Sequence, residues 1–169
     1  MFFSRSLALT AAVLASHAIA QQCESAKKLC YNAPDSTPQN VTVEDIKSVA
    51  QYLRSYGLET KAGRQFTMTA EAAPDCSEWT LFNNGTVIAL AQHINSKVDS
   101  SVFYTDIANT IDGGFEATQE KQKASLLGCG TTGGTMGVVY NASAEQYHTA
   151  AYFATGYTPA GIMIKIVHS

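Results

Sequence analysis

The chain has 169 residues, of which 46% are hydrophobic and 15% charged, and its formal net charge is −3. This length is sufficient for one domain with a sizeable core. The acidic balance and the lack of any long basic run in the sequence exclude the electrostatic footprint of a nucleic-acid-binding protein, so no nucleic-acid partner is expected.

The first twenty residues have the pattern of a secretory signal. Arg5 precedes an apolar run over residues 7–14, and the segment closes on Ala18-Ile19-Ala20, which is the small-x-small pattern that signal peptidase accepts. We therefore predict a signal peptide over residues 1–20 and a secreted, extracellular protein that begins at Gln21. The alternative is a buried N-terminal helix. The apolar run is too short to span a bilayer, and no later run approaches that length, so no membrane span is expected.

The next segment, residues 21–41, is predicted to be a polar arm and linker that carries two of the four cysteines. An even number of cysteines in an oxidising compartment favours two disulfides over a metal site. Three pairings are open. We favour Cys23 with Cys30, which would close a short loop, and Cys76 with Cys129, which would tie the start of a strand to the end of a helix across the domain.

Three N-glycosylation sequons agree with a secretory route. They begin at Asn40, Asn84 and Asn141. Each lies beside turn-forming or helix-capping residues, where a glycan would face water. This placement favours the use of at least one of them.

The first regular element after the arm is a predicted amphipathic helix. Thr42 and Asp45 have the spacing of a capping box, and Gly57 is predicted to end the helix. Between them, four apolar residues recur at helical spacing: Ile46, Val49, Ala50 and Leu53.

The middle of the chain combines strand and helix patterns. Phe66, Met68 and Ala70 alternate with polar residues, which predicts a strand over residues 65–70, and a second short strand is predicted over residues 78–82. Beyond a turn at residues 83–85, apolar residues recur on one helical face. This pattern predicts three further helices, over residues 87–98, 102–111 and 118–127.

The last forty residues are rich in β-branched and aromatic side chains separated by turn sequences. They predict three strands, over residues 135–140, 147–153 and 162–167. The whole pattern predicts an α+β fold with a single domain over residues 42–169. In this fold an antiparallel sheet of four or five strands packs against helices and includes a C-terminal three-stranded meander.

No motif in the sequence selects catalytic, metal-binding or cofactor-binding residues. The arrangement of two histidines around a glutamate used by zinc proteases is missing, and so is a glycine-flanked serine. His93 is predicted midway along a helix, His148 midway along a strand, and His168 beside the terminus. Structural or surface roles are therefore favoured for all three over catalysis, and neither a cofactor nor a metal is expected.

Two other features suggest binding. The glycine-rich stretch over residues 128–137 could cradle a phosphate, but it lacks the lysine of such loops, so a helix stop, a disulfide and a turn are favoured. Aromatic residues could form a glycan-binding face, although core packing is favoured for most of them. Tyr157, in a proline-containing turn, is the best candidate for an exposed binding residue. The other aromatic residues considered are Phe66, Trp79, Phe82, Phe103, Tyr140, Tyr147 and Tyr152.

The order of elements around the central cysteines resembles a known family. A half-cystine enters a strand at Cys76, a helix surrounds Thr105-Asp106-Ile107-Ala108-Asn109-Thr110-Ile111, and a glycine-cysteine pair closes the region at Gly128-Cys129. This order resembles the necrosis-inducing secreted effectors of plant-associated fungi over residues 42–130. The resemblance implies a killer-toxin-like α/β sandwich, a fungal source and a role in virulence.

A weaker resemblance is to small secreted fungal ribonucleases. It is carried by residues 23–31 and by Glu78-Trp79-Thr80-Leu81-Phe82. That family uses a strand-borne histidine, a glutamate base and an arginine on the phosphate. Here Arg54 and Arg64 are the only arginines after the leader, and Arg54 falls on a predicted helix, so no catalytic residue is carried over.

The leading expectation is a secreted, non-enzymatic effector or toxin-like protein that binds an extracellular protein or glycan of a host or competitor. One alternative is a small ribonuclease-like hydrolase in which His93 or His148 pairs with a carboxylate such as Glu78. Another alternative is a cell-wall-associated structural protein.

Overall fold

The computed structural model describes residues 22–169. The predicted signal peptide over residues 1–20, and Gln21, the predicted first residue of the mature protein, lie outside the described residues. Seven strands and four α-helices follow one another in this range, with 3₁₀ segments at Leu126–Thr132 and Glu145–His148. The elements are β1 (Leu29–Cys30), α1 (Val43–Leu58), β2 (Gln65–Met68), β3 (Trp79–Asn84), β4 (Val87–His93), β5 (Ser100–Phe103), α2 (Tyr104–Asp112), α3 (Gln119–Ala124), β6 (Gly134–Gly137), α4 (Ala150–Thr155) and β7 (Ile162–His168).

Five strands form one antiparallel sheet in the order β1-β6-β7-β4-β3, and β2 pairs with β5 in a separate antiparallel ribbon. In the centre of the large sheet, Ile164 of β7 lies opposite Ala91 of β4 and Met136 of β6. The helices α1 and α2 pack against each other, α1 contacts β3 and β4, and α2 contacts β7. The predicted α+β fold, with a five-stranded antiparallel sheet against helices, is confirmed.

The predicted helix α1 is confirmed, including its cap. The backbone N–H of Asp45 donates to the Thr42 hydroxyl at 3.2 Å, and the predicted apolar residues of the helix are buried. The helix does not end at Gly57, however, but continues to Leu58. A Cβ at Gly57 would lie 3.0 Å from the Cβ of Tyr104, so this glycine permits the close approach of α2 to α1.

The helix predicted over residues 87–98 is wrong, because residues 87–93 form the strand β4. Val87, Ala89 and Ala91 face the core, while Ile88 and Leu90 are half-buried on the opposite face. When both faces of a strand are covered, apolar residues occur at successive positions, and such a run fits the spacing of a helix as well as that of a strand. The decisive signal is Gly85, which has a φ of 55° and forms with Thr86 the two-residue loop between Asn84 of β3 and Val87 of β4.

The C-terminal strand group is confirmed in β6 and β7, which pair directly, but the strand predicted over residues 147–153 is wrong. This segment contains a 3₁₀ turn and the short helix α4. The Thr149 hydroxyl accepts a hydrogen bond from the Tyr152 backbone N–H at 3.1 Å and so caps α4, and Gly156 ends the helix in the left-handed conformation. Local capping therefore outweighs the β-propensity of the aromatic residues.

Both expected disulfides form, but their predicted pairing is wrong: the bonds are Cys23–Cys76 and Cys30–Cys129. The arm lies against the edge of the sheet, where the Gly137 N–H donates to the Ala26 carbonyl oxygen at 2.9 Å and β1 pairs with β6. This placement brings each cysteine of the arm beside a different distant cysteine. The two bonds therefore fasten the arm to the rest of the domain at two points.

Candidate interaction groove and neighbouring sites

The three histidines do not form an acid–base site with any carboxylate in the described part of the chain. His93 is fully buried, and its Nε2 lies 3.3 Å from the Thr69 carbonyl oxygen. The Nε2 of His148 lies 2.7 Å from the Ala142 carbonyl oxygen, and His168 is exposed at the end of β7. Between residues 22 and 169 no group of three or more potential metal ligands converges either.

Glu78, the carboxylate considered as a partner for a histidine, has a structural role. Its Oε1 lies 2.7 Å from the Nζ of Lys165, and an oxygen of Glu24 lies 2.8 Å from the same nitrogen. The ion pairs therefore link the N-terminal arm, β7 and the start of β3. Glu24 thus holds the arm on β7, and Glu78 shares the same lysine.

The glycine-rich stretch serves packing of the arm. A Cβ at Gly134 would lie 2.5 Å from the carbonyl oxygen of Leu29, and one at Gly137 would lie 2.9 Å from the Cβ of Ala26. Contacts this short do not occur for real side chains, so only glycine allows β1 and the arm to lie against β6 at these positions. The geometry thus favours the packing interpretation over a phosphate cradle.

The aromatic residues considered for glycan binding separate into two groups. Phe66, Trp79 and Phe82 belong to a group with three tyrosines, in which the ring of Tyr52 stacks on Phe82 at a centroid distance of 3.6 Å. Tyr147 is the centre of the second group and is 5% exposed. Its ring contacts those of Phe103, Tyr140 and Tyr152.

Tyr157, the predicted binding residue, is half-buried. Its backbone N–H donates to the Thr155 hydroxyl at 3.1 Å, which stabilises the turn after α4. Its ring contacts neither aromatic group in the part of the chain that the structure describes. Nothing in this geometry joins Tyr157 to a larger binding surface.

A groove that the sequence analysis missed lies between α1 and the loop that joins α2 to α3. It has a volume of about 730 Å³, and two strongly exposed apolar side chains, Leu58 and Phe115, line it. Phe115 is 79% exposed and Leu58 is 66% exposed. We call this feature the Phe115 groove.

The loop that carries Phe115 is held in a defined conformation. Gly113 ends α2 with a φ of 91°, and the N–H of Gly114 donates to the Asp112 carboxylate at 2.8 Å. The N–H of Ala117 then donates to the Gly114 carbonyl oxygen at 3.1 Å, and Glu116 has a φ of 60°. A left-handed conformation at a residue other than glycine costs about 1 kcal/mol, so the surrounding contacts must stabilise this turn.

An ion pair lies in the wall of the groove, beside further polar side chains that include Lys47, Gln51 and Glu116. The Nη2 of Arg54 lies 2.7 and 2.9 Å from the two carboxylate oxygens of Asp112 and 3.2 Å from the Oδ1 of Asn109. The side chains of Arg54 and Asp112 are 14% and 15% exposed. Because each charge is satisfied by the other, the pair fixes α1 against α2. Leu58 and Phe115 are the strongly exposed apolar side chains of the groove.

Comparisons of the chain with protein-family models, with curated proteins and with solved structures found no match. The resemblance to necrosis-inducing effectors therefore stays a prediction. Within residues 22–169, no helix has both the length and the apolar character needed to cross a bilayer.

Proposed function

We propose that the protein is a secreted, non-enzymatic effector or toxin-like protein that binds an extracellular protein of a host or competitor through the Phe115 groove. The observation that carries the proposal is the 79% exposure of Phe115 on a hydrogen-bonded loop beside the groove. A large aromatic side chain held in water next to a concave surface is typical of a residue that becomes buried in a partner.

The energetic gain from such burial is substantial. Full burial of a phenylalanine or leucine side chain contributes about 1.5–3 kcal/mol, and Phe115 and Leu58 are 79% and 66% exposed, so together they would contribute about 2–4 kcal/mol before the costs of association. The loop conformation is already fixed, which lowers the entropy lost on binding. Two apolar anchors on a fixed loop therefore favour a protein partner with a complementary apolar surface.

Two further observations support this proposal. Two disulfides are typical of proteins from oxidising compartments, which agrees with the predicted signal peptide. In addition, the histidine–carboxylate pair on which the hydrolase alternative depends is not assembled among residues 22–169.

The test is a dose series of the oxidised mature protein on plant leaf tissue and on competing fungal cells. The groove variant combines Phe115→Ser with Leu58→Ser. The matched control is Phe153→Ser, because Phe153 is 66% exposed on α4 and does not line the groove. We expect cell death or altered immune signalling from the unaltered protein and the control, and at least a tenfold loss of potency in the groove variant.

Two results would contradict the proposal. Equal potency of the groove variant and the control would show that the groove is not the contact surface. Silence of the unaltered protein in both assays would remove the effector role and favour the wall-associated or hydrolytic alternatives, for which RNA and glycan cleavage would be measured next. Circular dichroism of each variant would establish that any loss of potency is not a loss of folding.

A further inference from the structure

A second cavity contains a buried carboxylate. It has a volume of about 330 Å³ and lies between α2, α3 and the segment that follows β6. Its size is at the lower end of the range for small-molecule sites. Its lining is mostly apolar and includes Asp106, Lys121, Ala124, Met136, Val139 and Tyr140.

Asp106 is hydrogen-bonded but has no cationic partner in the described part of the chain. It is 6% exposed, and its Oδ2 accepts a hydrogen bond from the Tyr147 hydroxyl at 2.7 Å. The backbone N–H of Asn141 also donates to the carboxylate. Burial raises the pKa of Asp106, and these hydrogen bonds only partly oppose it. The site therefore holds a carboxylate whose charge would be stabilised by a cation.

Two of the neighbouring polar side chains, Thr110 and Asn141, are already hydrogen-bonded. The Thr110 hydroxyl donates to the backbone carbonyl of Asp106 at 2.8 Å and accepts from the Val139 N–H at 2.9 Å. The side-chain oxygen of Asn141 accepts from the Ser143 N–H at 3.1 Å. A carboxylate can accept about four hydrogen bonds, so Asp106 retains acceptor capacity in the cavity.

We propose that this cavity binds a small apolar primary amine, with the ammonium group on Asp106 and the hydrocarbon part against the apolar walls. An ammonium supplies both the missing hydrogen-bond donor and the missing positive charge, whereas an alcohol supplies only the donor. Lys121 lies at the same cavity with an exposed side chain, and its like charge opposes the bound amine. This inference is independent of the Phe115 groove.

The probe is benzylamine, compared with benzyl alcohol, titrated into the oxidised mature protein at neutral pH and followed by nuclear magnetic resonance. We expect benzylamine to bind at least tenfold more tightly than benzyl alcohol. Asp106→Asn, which keeps the size and an acceptor but removes the charge, should reduce benzylamine affinity to that of the alcohol. Equal affinity of the two probes, or no benzylamine binding in the millimolar range, would overturn the proposal.

A pair of surface variants keeps the test decisive if Asp106→Asn does not fold. Lys121→Met removes the opposing charge at the cavity and should raise benzylamine affinity about threefold or more. Lys123→Met makes the same change on the same helix at a residue that does not line the cavity, and should leave the affinity within about twofold. Equal effects of the two substitutions would mean that the amine is not held at this cavity.

Discussion

Replacement of Tyr147 by phenylalanine should destabilise the protein much more than the same replacement at Tyr152. Both rings are 5% exposed, and their centroids lie 5.1 Å apart in the same aromatic group. The Tyr147 hydroxyl donates to the buried carboxylate of Asp106 at 2.7 Å and accepts from the Phe103 N–H at 3.0 Å. The Tyr152 hydroxyl donates only to the carbonyl oxygen of Ser101, at 2.7 Å.

The magnitudes follow from these partners. A hydrogen bond to a charged group contributes about 1.5–3 kcal/mol, and a buried N–H left without an acceptor costs about 1–3 kcal/mol. We therefore expect Tyr147→Phe to lower the free energy of unfolding by about 3–4 kcal/mol. Tyr152→Phe loses one neutral hydrogen bond and should cost about 1 kcal/mol.

The assay is urea unfolding followed by the fluorescence of Trp79, the single tryptophan of the chain.

The difference between the two variants should also depend on pH. Burial raises the pKa of Asp106, whereas the hydrogen bond from Tyr147 lowers it. Loss of that bond raises the pKa of Asp106 further, and a carboxyl with a raised folded-state pKa loses stability as the pH rises through that pKa. The deficit of Tyr147→Phe should therefore be largest at neutral pH and shrink in acid. Equal costs for the two tyrosine variants, or a deficit independent of pH, would refute this reasoning.

Three other measurements test the structure. Alanine at both Cys30 and Cys129 removes a disulfide that spans 99 residues and should lower the free energy of unfolding by about 4–5 kcal/mol on the chain-entropy model. A loss below about 1 kcal/mol in urea unfolding would show that this disulfide does not stabilise the protein by restricting the unfolded chain. Hydrogen bonds from the backbone N–H and hydroxyl of Thr86 hold the pKa of Asp45 below its ordinary value. Asp45→Asn should therefore lower the thermal midpoint near neutral pH, and the difference from the unaltered protein should shrink in acid, where Asp45 is protonated. An equal difference at every pH would show that the charge of Asp45 does not stabilise the fold. Asn141 lies exposed in a turn, so its replacement by glutamine should remove one glycan mass from protein secreted by a eukaryotic host, and an unchanged intact mass would mean that the site is unused.

The elements that could be predicted from sequence are those whose local signals agree. In α1, the Thr42 cap and the buried residues Ile46, Val49 and Leu53 all indicate the same helix. For β4 the signals conflict, because its apolar residues fit two periods and only the preceding turn at Gly85 identifies a hairpin. Local pattern therefore suffices for α1, whose two faces differ in burial, and is ambiguous for β4, which is covered on both faces.

The disulfide pairing could not be predicted because it depends on where the arm lies. The sequence places Cys23 and Cys30 close together, and a short closed loop satisfies every local requirement. The observed pairing requires the arm to lie against β6, which depends on Gly134 and Gly137 leaving room for Leu29 and Ala26. The sequence around a glycine does not show which distant backbone will pack against it. The disulfide pairing can therefore be read only from the structure, in which β6 and the arm lie together.

Both proposed sites depend on a side chain whose burial in the fold is unusual for its type, namely the buried Asp106 and the exposed Phe115. Asp106 lies in the first turn of α2, where an acidic residue ordinarily faces water and stabilises the positive end of the helix. It is buried because the later segment brings Tyr147 and the Asn141 N–H over it. Phe115 follows two glycines, and the loop that carries it leaves its ring 79% exposed. Burial of a charge without a cation is destabilising, and a bound amine would relieve that cost. The exposed ring of Phe115 does not destabilise the fold, but it leaves apolar area whose burial against an apolar protein surface would favour binding.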